Sequence, residues 1–488
     1  MIKEYTRHIF NKPFLYIMAF SCIAVLQNSW VEGFFFDGYL YSALGKHAAE
    51  KGHWLVPSLS ETHYLLFNHH PPFVFIMMGI FFKVFGVSFT TARIFGGAWT
   101  VGTILIFTFF VLKTFKNKKN NLDLAFFTGF SFLLNLDLIK KSRFPGLDAP
   151  LMFFFTCAAF LFFKGFCSYK AKQSPLPYWS LFGFFLGLIF LTKGPPVIFL
   201  VCGILFFLVI KTRGKFFLKN YSLMTSSLIF LLTLGVWPLL LFLNESFFIF
   251  EQYINFQIIG SIFKGRGILE VDYFGYLKLL FTKSTLPVAL SIFGFYKFLT
   301  RKDREEGFDN FYWLCCSWLF CTLLPLSLMS HKYSHYLFPL YPPLSFLSAY
   351  GLYSLSTTLR DHIKKALVVL FFIASLLFII FPLGTESRRS KDLINFKKMT
   401  ELKGIEVGKN WNVEKDSIAR SDVMNFAAFV YSANMHFAEG ERLKKDIGLA
   451  KKGSVVILKN NTFLDHRENN LELVYNGKLC NCKFFTKL

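Results

Sequence analysis

Long apolar runs separated by short polar gaps set the pattern of this chain. They occupy residues 13–30, 73–85, 93–112, 122–139, 149–163, 178–192, 195–210, 221–243, 283–298, 311–329, 336–356 and 365–383. Many approach the roughly 20 residues a helix needs to cross a bilayer. The pattern predicts an all-α polytopic membrane protein of about 12–13 transmembrane helices over residues 1–384. It changes at 385. DVMNFAAFVYSANMHFAEGERLKK predicts a helix, VVILK a strand, and LELVYNGKLC a strand meeting an Asn476-Gly477 turn. Residues 385–488 are therefore expected to form a small soluble α/β C-terminal domain, an external cap that supplies no catalytic group.

Two polar stretches interrupt the membrane part, 31–71 and 244–282, and both are expected outside. In the first, Leu40, Ala43, Leu44, His47 and Ala48 recur at a period near 3.6 until Gly52. That predicts a short amphipathic helix lying along the membrane surface, with Trp54 at headgroup level. Pro71 and Pro72 open the next apolar run, a position where a missing N–H is tolerated.

Composition sharpens this picture. The chain is 54% hydrophobic and 17% charged, against about 25% charged in soluble domains. Its net charge of +23 gathers in KTFKNKKNN, KGFCSYKAKQ and KTRGKFFLKN. Basic clusters between apolar runs are the positive-inside pattern, and they imply contact with anionic lipid rather than nucleic acid. Counted back from these loops, Asp148, Lys193, His331 and the C-terminal domain lie outside. Counted forward from an inside N-terminus, twelve segments give the opposite parity. Either residues 73–85 re-enter without crossing or one run hides a further span, and thirteen crossings are expected. No small-residue cleavage site follows the first run, which is read as an uncleaved helix. Seven cysteines fall in or beside apolar runs as small hydrophobes, and the single residue between Cys480 and Cys482 predicts neither disulfide nor metal site.

Candidate chemistry gathers in the outer connections. Asp37 stands just beyond the first span, at the start of the helix-like stretch. It fits either an N-cap or a carboxylate acting as general base. His69 and His70 precede the proline pair. They fit a polar pair at a helix start or, since imidazole binds zinc and an acid can complete such a site, a metal ligand. Adjacent side chains of an extended segment diverge, so the two do not share one ion. Arg143, Asp148, Lys193, Lys332 and His335 each fit an interface anchor. Together they put cations on one face, as a phosphate- or diphosphate-bearing lipid substrate would need.

WVEGFFFDGYLYSALGKHAAEKGHWLVPSL, FNHHPPFVFIMMGIFFKVFG, TTARIFGG, SRFPGLDAPLMFF, FLTKGPPVIFL and SHKYSHYLFPLYPPLSFLSAYGL together resemble integral-membrane glycosyltransferases of the type-C fold. The nearest groups are the bacterial aminoarabinose transferases and the protein O-mannosyltransferase-like enzymes, over residues 13–356. The resemblance implies transfer of a sugar from a polyprenyl-phosphate donor to a lipid A, glycan or protein acceptor, with inversion, at the outer face of the bacterial cytoplasmic membrane and without a nucleotide cofactor. It implies Asp37 and Asp148 as catalytic carboxylates, and Lys193, Lys332, Arg143, His70 and Tyr336 as donor-phosphate ligands. A divalent ion (zinc, manganese or magnesium) at His69 is also implied. Two departures stand out. Gly38 occupies a position where relatives often carry a second acid, and His69-His70 stands where the aminoarabinose group has Glu-Lys. A multispan transporter or flippase of a lipid-linked substrate is the alternative.

Overall fold

The computed structural model describes residues 12–114, 118–212, 221–260, 272–302, 305–329, 332–381, 390–462, 464–465 and 469–488. His331, the centres of the basic loops at 113–119 and 211–220, residues 261–271 of the second polar stretch and the boundary at 385 lie outside them. The membrane part runs α1 (Lys12–Leu26), α2 (Phe36–Lys51), α3 (Phe73–Phe85), α4 (Phe89–Thr114), α5 (Lys118–Leu133), α6 (Leu136–Lys141), α7 (Asp148–Lys170), α8 (Leu176–Lys193), α9 (Val197–Thr212), α10 (Tyr221–Leu243), α11 (Phe248–Gln252), α12 (Gly275–Lys283), α13 (Thr285–Thr300), α14 (Glu306–Leu328), α15 (Tyr341–Tyr353) and α16 (Thr357–Ile380). Each apolar run of the sequence is helical. Among the described residues six helices are long and apolar enough to cross a membrane, or seven if the pair α12–α13, bent by 101°, is one span. That is fewer than the 12–13 expected, because hydropathy does not distinguish a full crossing from a shorter apolar helix.

Membrane helices pack through small residues, since lipid offers no hydrophobic drive between them. Gly183 and Gly187 lie on α8 where α10 crosses. A Cβ on Gly183 would lie 2.2 Å from the Ser226 carbonyl oxygen, and one on Gly187 would lie 2.4 Å from Thr233 Cβ. Either would push the two helices apart.

Helix α3 is one of the shorter apolar helices. Its 13 residues extend about 20 Å at 1.5 Å per residue, short of a hydrocarbon core about 30 Å thick. Both its ends meet outer elements. Phe73 packs on Phe154 near the start of α7, with ring centroids 5.9 Å apart. At the far end Lys83 lies 4.9 Å over the ring of Trp54, and Phe82 reaches Phe429 of the C-terminal domain. Ile80, Val84 and Phe85 are exposed. By length the helix does not qualify as a crossing, and the same holds for the apolar helices 14–26 and 197–212.

The C-terminal domain contains α17 (Lys391–Leu402), β1 (Asn410–Glu414), α18 (Arg420–Tyr431), β2 (Asn434–Ala438), α19 (Gly440–Gly448), β3 (Val455–Lys459), β4 (Leu471–Gly477) and β5 (Cys482–Lys487). Its sheet has the order β2-β1-β3-β5-β4. The first three strands are parallel, and β5 runs antiparallel to β3 and β4. Val455 to Leu458 are all buried, as befits a central strand covered on both faces. Cys480 and Cys482 form a disulfide, contrary to the expectation from their spacing. The turn into β5 brings the two Cα atoms within 5.2 Å, inside the range a bridge can span. An external, oxidising face is where such a bond persists.

Candidate active site

The loop that carries Asp37 is held from below by a buried arginine. Arg93, in the second turn of α4, donates from Nε to the Val31 carbonyl at 3.0 Å and from Nη2 to that of Gly33. Its guanidinium lies between the rings of Phe34 and Phe144, 5.3 and 5.2 Å from their centroids. The chain then turns into α2. The N-cap is Phe35, which makes no side-chain cap bond, so Asp37 sits in the first turn and is not the cap. The next residue is a glycine for steric reasons, since a Cβ on Gly38 would lie 2.8 Å from Phe34 Cβ.

Asp37 faces two ionisable groups from other helices. Asp148 opens α7 and Lys193 closes α8. These helices are antiparallel neighbours, so the two ends meet at the outer face. Lys193 Nζ and Asp148 Oδ1 are 2.5 Å apart, with both side chains mostly buried. An acid at a helix start and a cation at a helix end also suit the helix dipoles. Burial pushes the Asp37 carboxyl up to about 6, while Lys193 pulls it down and Asp148 pushes it further up. Three residues distant in sequence thus share one electrostatic environment. Tyr336 completes the group, with Lys193 Nζ 4.5 Å from its ring centroid. His335 stands edge-on to Tyr336 at 4.7 Å.

The other expected site residues make contacts of their own. Lys332 donates to the carbonyls of Leu326, Ser327 and Met329 at 3.2, 2.7 and 2.5 Å. It satisfies the orphan carbonyls at the end of α14, and its ammonium lies 5.0 Å over Tyr276. Arg143 is fully buried and donates to the Gln27 carbonyl at 3.1 Å. Burial holds it down near 10. It ties the loop before α7 to the outer end of α1. His70 lies against Tyr41 at 6.0 Å, and His69 against Tyr64 and Phe67 at 5.3 and 5.0 Å. Among the described residues no three His, Cys, Asp or Glu side chains converge to hold a metal ion. A cavity of about 1570 Å³ opens away from these groups, between His63 and the cap residues Arg420, His436 and Phe437.

Sequence reasoning quoted Arg93 within a block but gave it no part. Its signal was available, because an ionisable residue inside an apolar run is costly and seldom idle. Tyr276 was missed altogether. It is fully buried, and its hydroxyl accepts from the Tyr333 N–H at 3.2 Å. Nothing in the sequence distinguishes it from the other tyrosines.

With this geometry in place, similarity to known proteins can be read. A family profile described as dolichyl-phosphate-mannose-protein mannosyltransferase matches residues 69–238. Two uncharacterized proteins of Aquifex aeolicus are each 26% identical. One match covers 63% of this chain and 57% of the relative, the other 73% and 75%. The chain thus spans little more than half the length of the first. Among solved structures, ArnT from Cupriavidus metallidurans bound to undecaprenyl phosphate aligns with a TM-score of 0.75 at 13% identity, over 97% of both chains. The oligosaccharyltransferase AglB from Archaeoglobus fulgidus, in complex with an inhibitory peptide and a dolichol-phosphate, aligns with 0.54 at 12% identity, over 94% of this chain and 70% of that one. The shared fold is the type-C glycosyltransferase fold, cap included.

Proposed function

We propose that this chain transfers a sugar from a polyprenyl-phosphate donor to an acceptor at the outer face of the cytoplasmic membrane. The observation that carries this is the meeting of Asp37, Asp148 and Lys193 at one face of a multispan body, beside Tyr336. The similar proteins support the donor class, since they include a dolichyl-phosphate-mannose-protein mannosyltransferase family and structures holding undecaprenyl phosphate or dolichol-phosphate.

The chemistry needs three things. An acceptor hydroxyl or amine must lose a proton, the anomeric carbon must be held in line, and charge developing on the leaving phosphate must be neutralised. In this reading Asp37 takes the proton. A carboxyl near 6 is a stronger base than an ordinary carboxylate and is still mostly ionised at pH 7. The acceptor heteroatom bonds to the anomeric carbon as the bond to phosphate oxygen breaks, and the electron pair leaves with the polyprenyl phosphate. One displacement inverts that carbon. Lys193 meets the phosphate, Asp148 holds the ammonium in place, and Tyr336 presents its ring to the same cation, with His70 at the rim. Arg143 and Lys332 serve by bracing the loops that carry this group.

A divalent ion at His69 remains a separate proposal, tested by elemental analysis. Stoichiometric zinc, manganese or magnesium in wild type, lost in H69A, supports it. Full activity of metal-free protein in chelator rejects it. The transporter alternative needs ionisable groups along a path inside the helices, whereas these gather at one face. Purified protein supplied with defined polyprenyl-phosphate sugars decides between the two. Acceptor-dependent release of free polyprenyl phosphate is expected. Movement of intact lipid-linked sugar across a vesicle without such release would overturn the reading.

A further inference from the structure

We infer that the C-terminal domain is a positioning element for Asp37, acting through Phe429 and its contact with Lys46. The inference rests on the catalytic reading of Asp37 given above.

Lys46 lies on the same helix as Asp37, nine residues on, about 13 Å along the axis at 1.5 Å per residue. Its side chain is buried, and its ammonium donates to the Phe429 carbonyl at 2.8 Å. That carbonyl belongs to the last turn of α18, where helix carbonyls lack partners and the dipole favours a cation. The Phe429 ring then fills the space between α2, α3 and α4. It lies 5.6 Å from Phe34, 5.3 Å from Phe89, 6.4 Å from Tyr39 and 6.5 Å from Phe82. A further tie reaches the other side of Asp37, where Ser390 Oγ donates to the Phe34 carbonyl at 3.2 Å. The cap therefore grips α2 near its middle and the chain just before its start.

Burial is the largest influence on the Asp37 carboxyl, and the charges acting on it are those of Lys193 and Asp148. The cap holds α2, whose position sets that burial. Fixing Lys46 and Tyr39 fixes the tilt and rotation of α2, and so keeps Asp37 under cover and facing Lys193. A loosened seam lets α2 tilt and lets water reach the carboxyl, which then returns toward its ordinary range. Lys193 and Tyr336 belong to α8 and to the segment before α15, outside the seam, so donor phosphate is held as before.

The test uses purified full-length Lys46→Met, Lys46→Arg and Phe429→Ala beside wild type. We expect Lys46→Met and Phe429→Ala to lower kcat tenfold or more with donor KM within twofold. The acid limb of the rate profile should move to lower pH. Lys46→Arg, which keeps a donor, should recover at least a third of wild-type kcat. A fall in kcat with the limb unmoved, matched by loss of folded protein, would reduce the contact to ordinary stability and overturn the inference, as would unchanged kcat. Should Phe429→Ala fail to fold, the lysine pair carries the test. A second readout is independent of turnover. In D37C, alkylation by a water-soluble reagent should be at least fivefold faster when Lys46→Met is added, and an equal rate overturns the inference. If wild type shows no acceptor-dependent transfer, the proposed function fails while this labelling result still stands.

Discussion

In the proposed reaction, Asp37 is the residue on which the chemistry turns. Asp37→Asn is almost isosteric and removes the basicity, so kcat should fall by about 10²- to 10⁴-fold. Donor affinity should stay within threefold, as read by single-turnover transfer and donor titration. Wild type should lose kcat/KM as pH falls through about 6, rather than near 4. The neighbours give opposite signs. Lys193 holds the Asp37 carboxyl down and Asp148 pushes it up. Lys193→Ala should therefore move the acid limb to higher pH as well as weaken the donor phosphate, and Asp148→Asn should move it lower. Limbs that do not move, or move together, would separate Asp37 from the pair. Stability follows from the same carboxyl. Its folded value lies above its ordinary one, so between about pH 4 and 6 the folded chain binds more protons than the unfolded chain, and stability falls as pH rises. Much of this trio was legible in the sequence, because each member is a lone ionisable residue at the edge of an apolar run. Direction was not legible. Arg143 and Lys332 have the right charge in the right loops, but unsatisfied carbonyls claim them, and those carbonyls appear only once the helices end.

At the scale of elements, α3 separates what hydropathy reads from what packing decides. FVFIMMGIFFKVF is as apolar as any span in the chain. Its length of 13 residues and its contacts with Trp54 and Phe429 predict that it re-enters without crossing. A cysteine replacing Lys83 should then react with an impermeant thiol reagent in intact cells, in a cysteine-free background, as should one at Lys193. Protection of position 83 until the cells are opened would make α3 a crossing. The existence of helix α2 and its glycine stop were predictable, but the expected amphipathic surface helix is corrected, since residues 38–48 are all buried between neighbouring elements. The Cys480–Cys482 bridge was not, because spacing in sequence gives no Cα separation until the turn that closes it is known. The five-stranded order of the cap was equally out of reach, since crossover connections leave no local pattern.

At the scale of the whole molecule, the membrane body and the cap meet across a long separation in the chain. Lys46 and Phe429 are 383 residues apart in sequence. During synthesis at about 5–20 residues per second, α2 is exported roughly 20–80 s before its partner exists. For that interval the outer loop carries an unfinished site, with Phe34, Tyr39 and Phe89 uncovered. A chain halted before residue 390 should insert and leave D37C open to a water-soluble reagent, whereas release of the full chain should close it. On the proposed function, competence would then date from the end of translation, and a ribosome that stalls late would leave behind an inserted protein that turns over little.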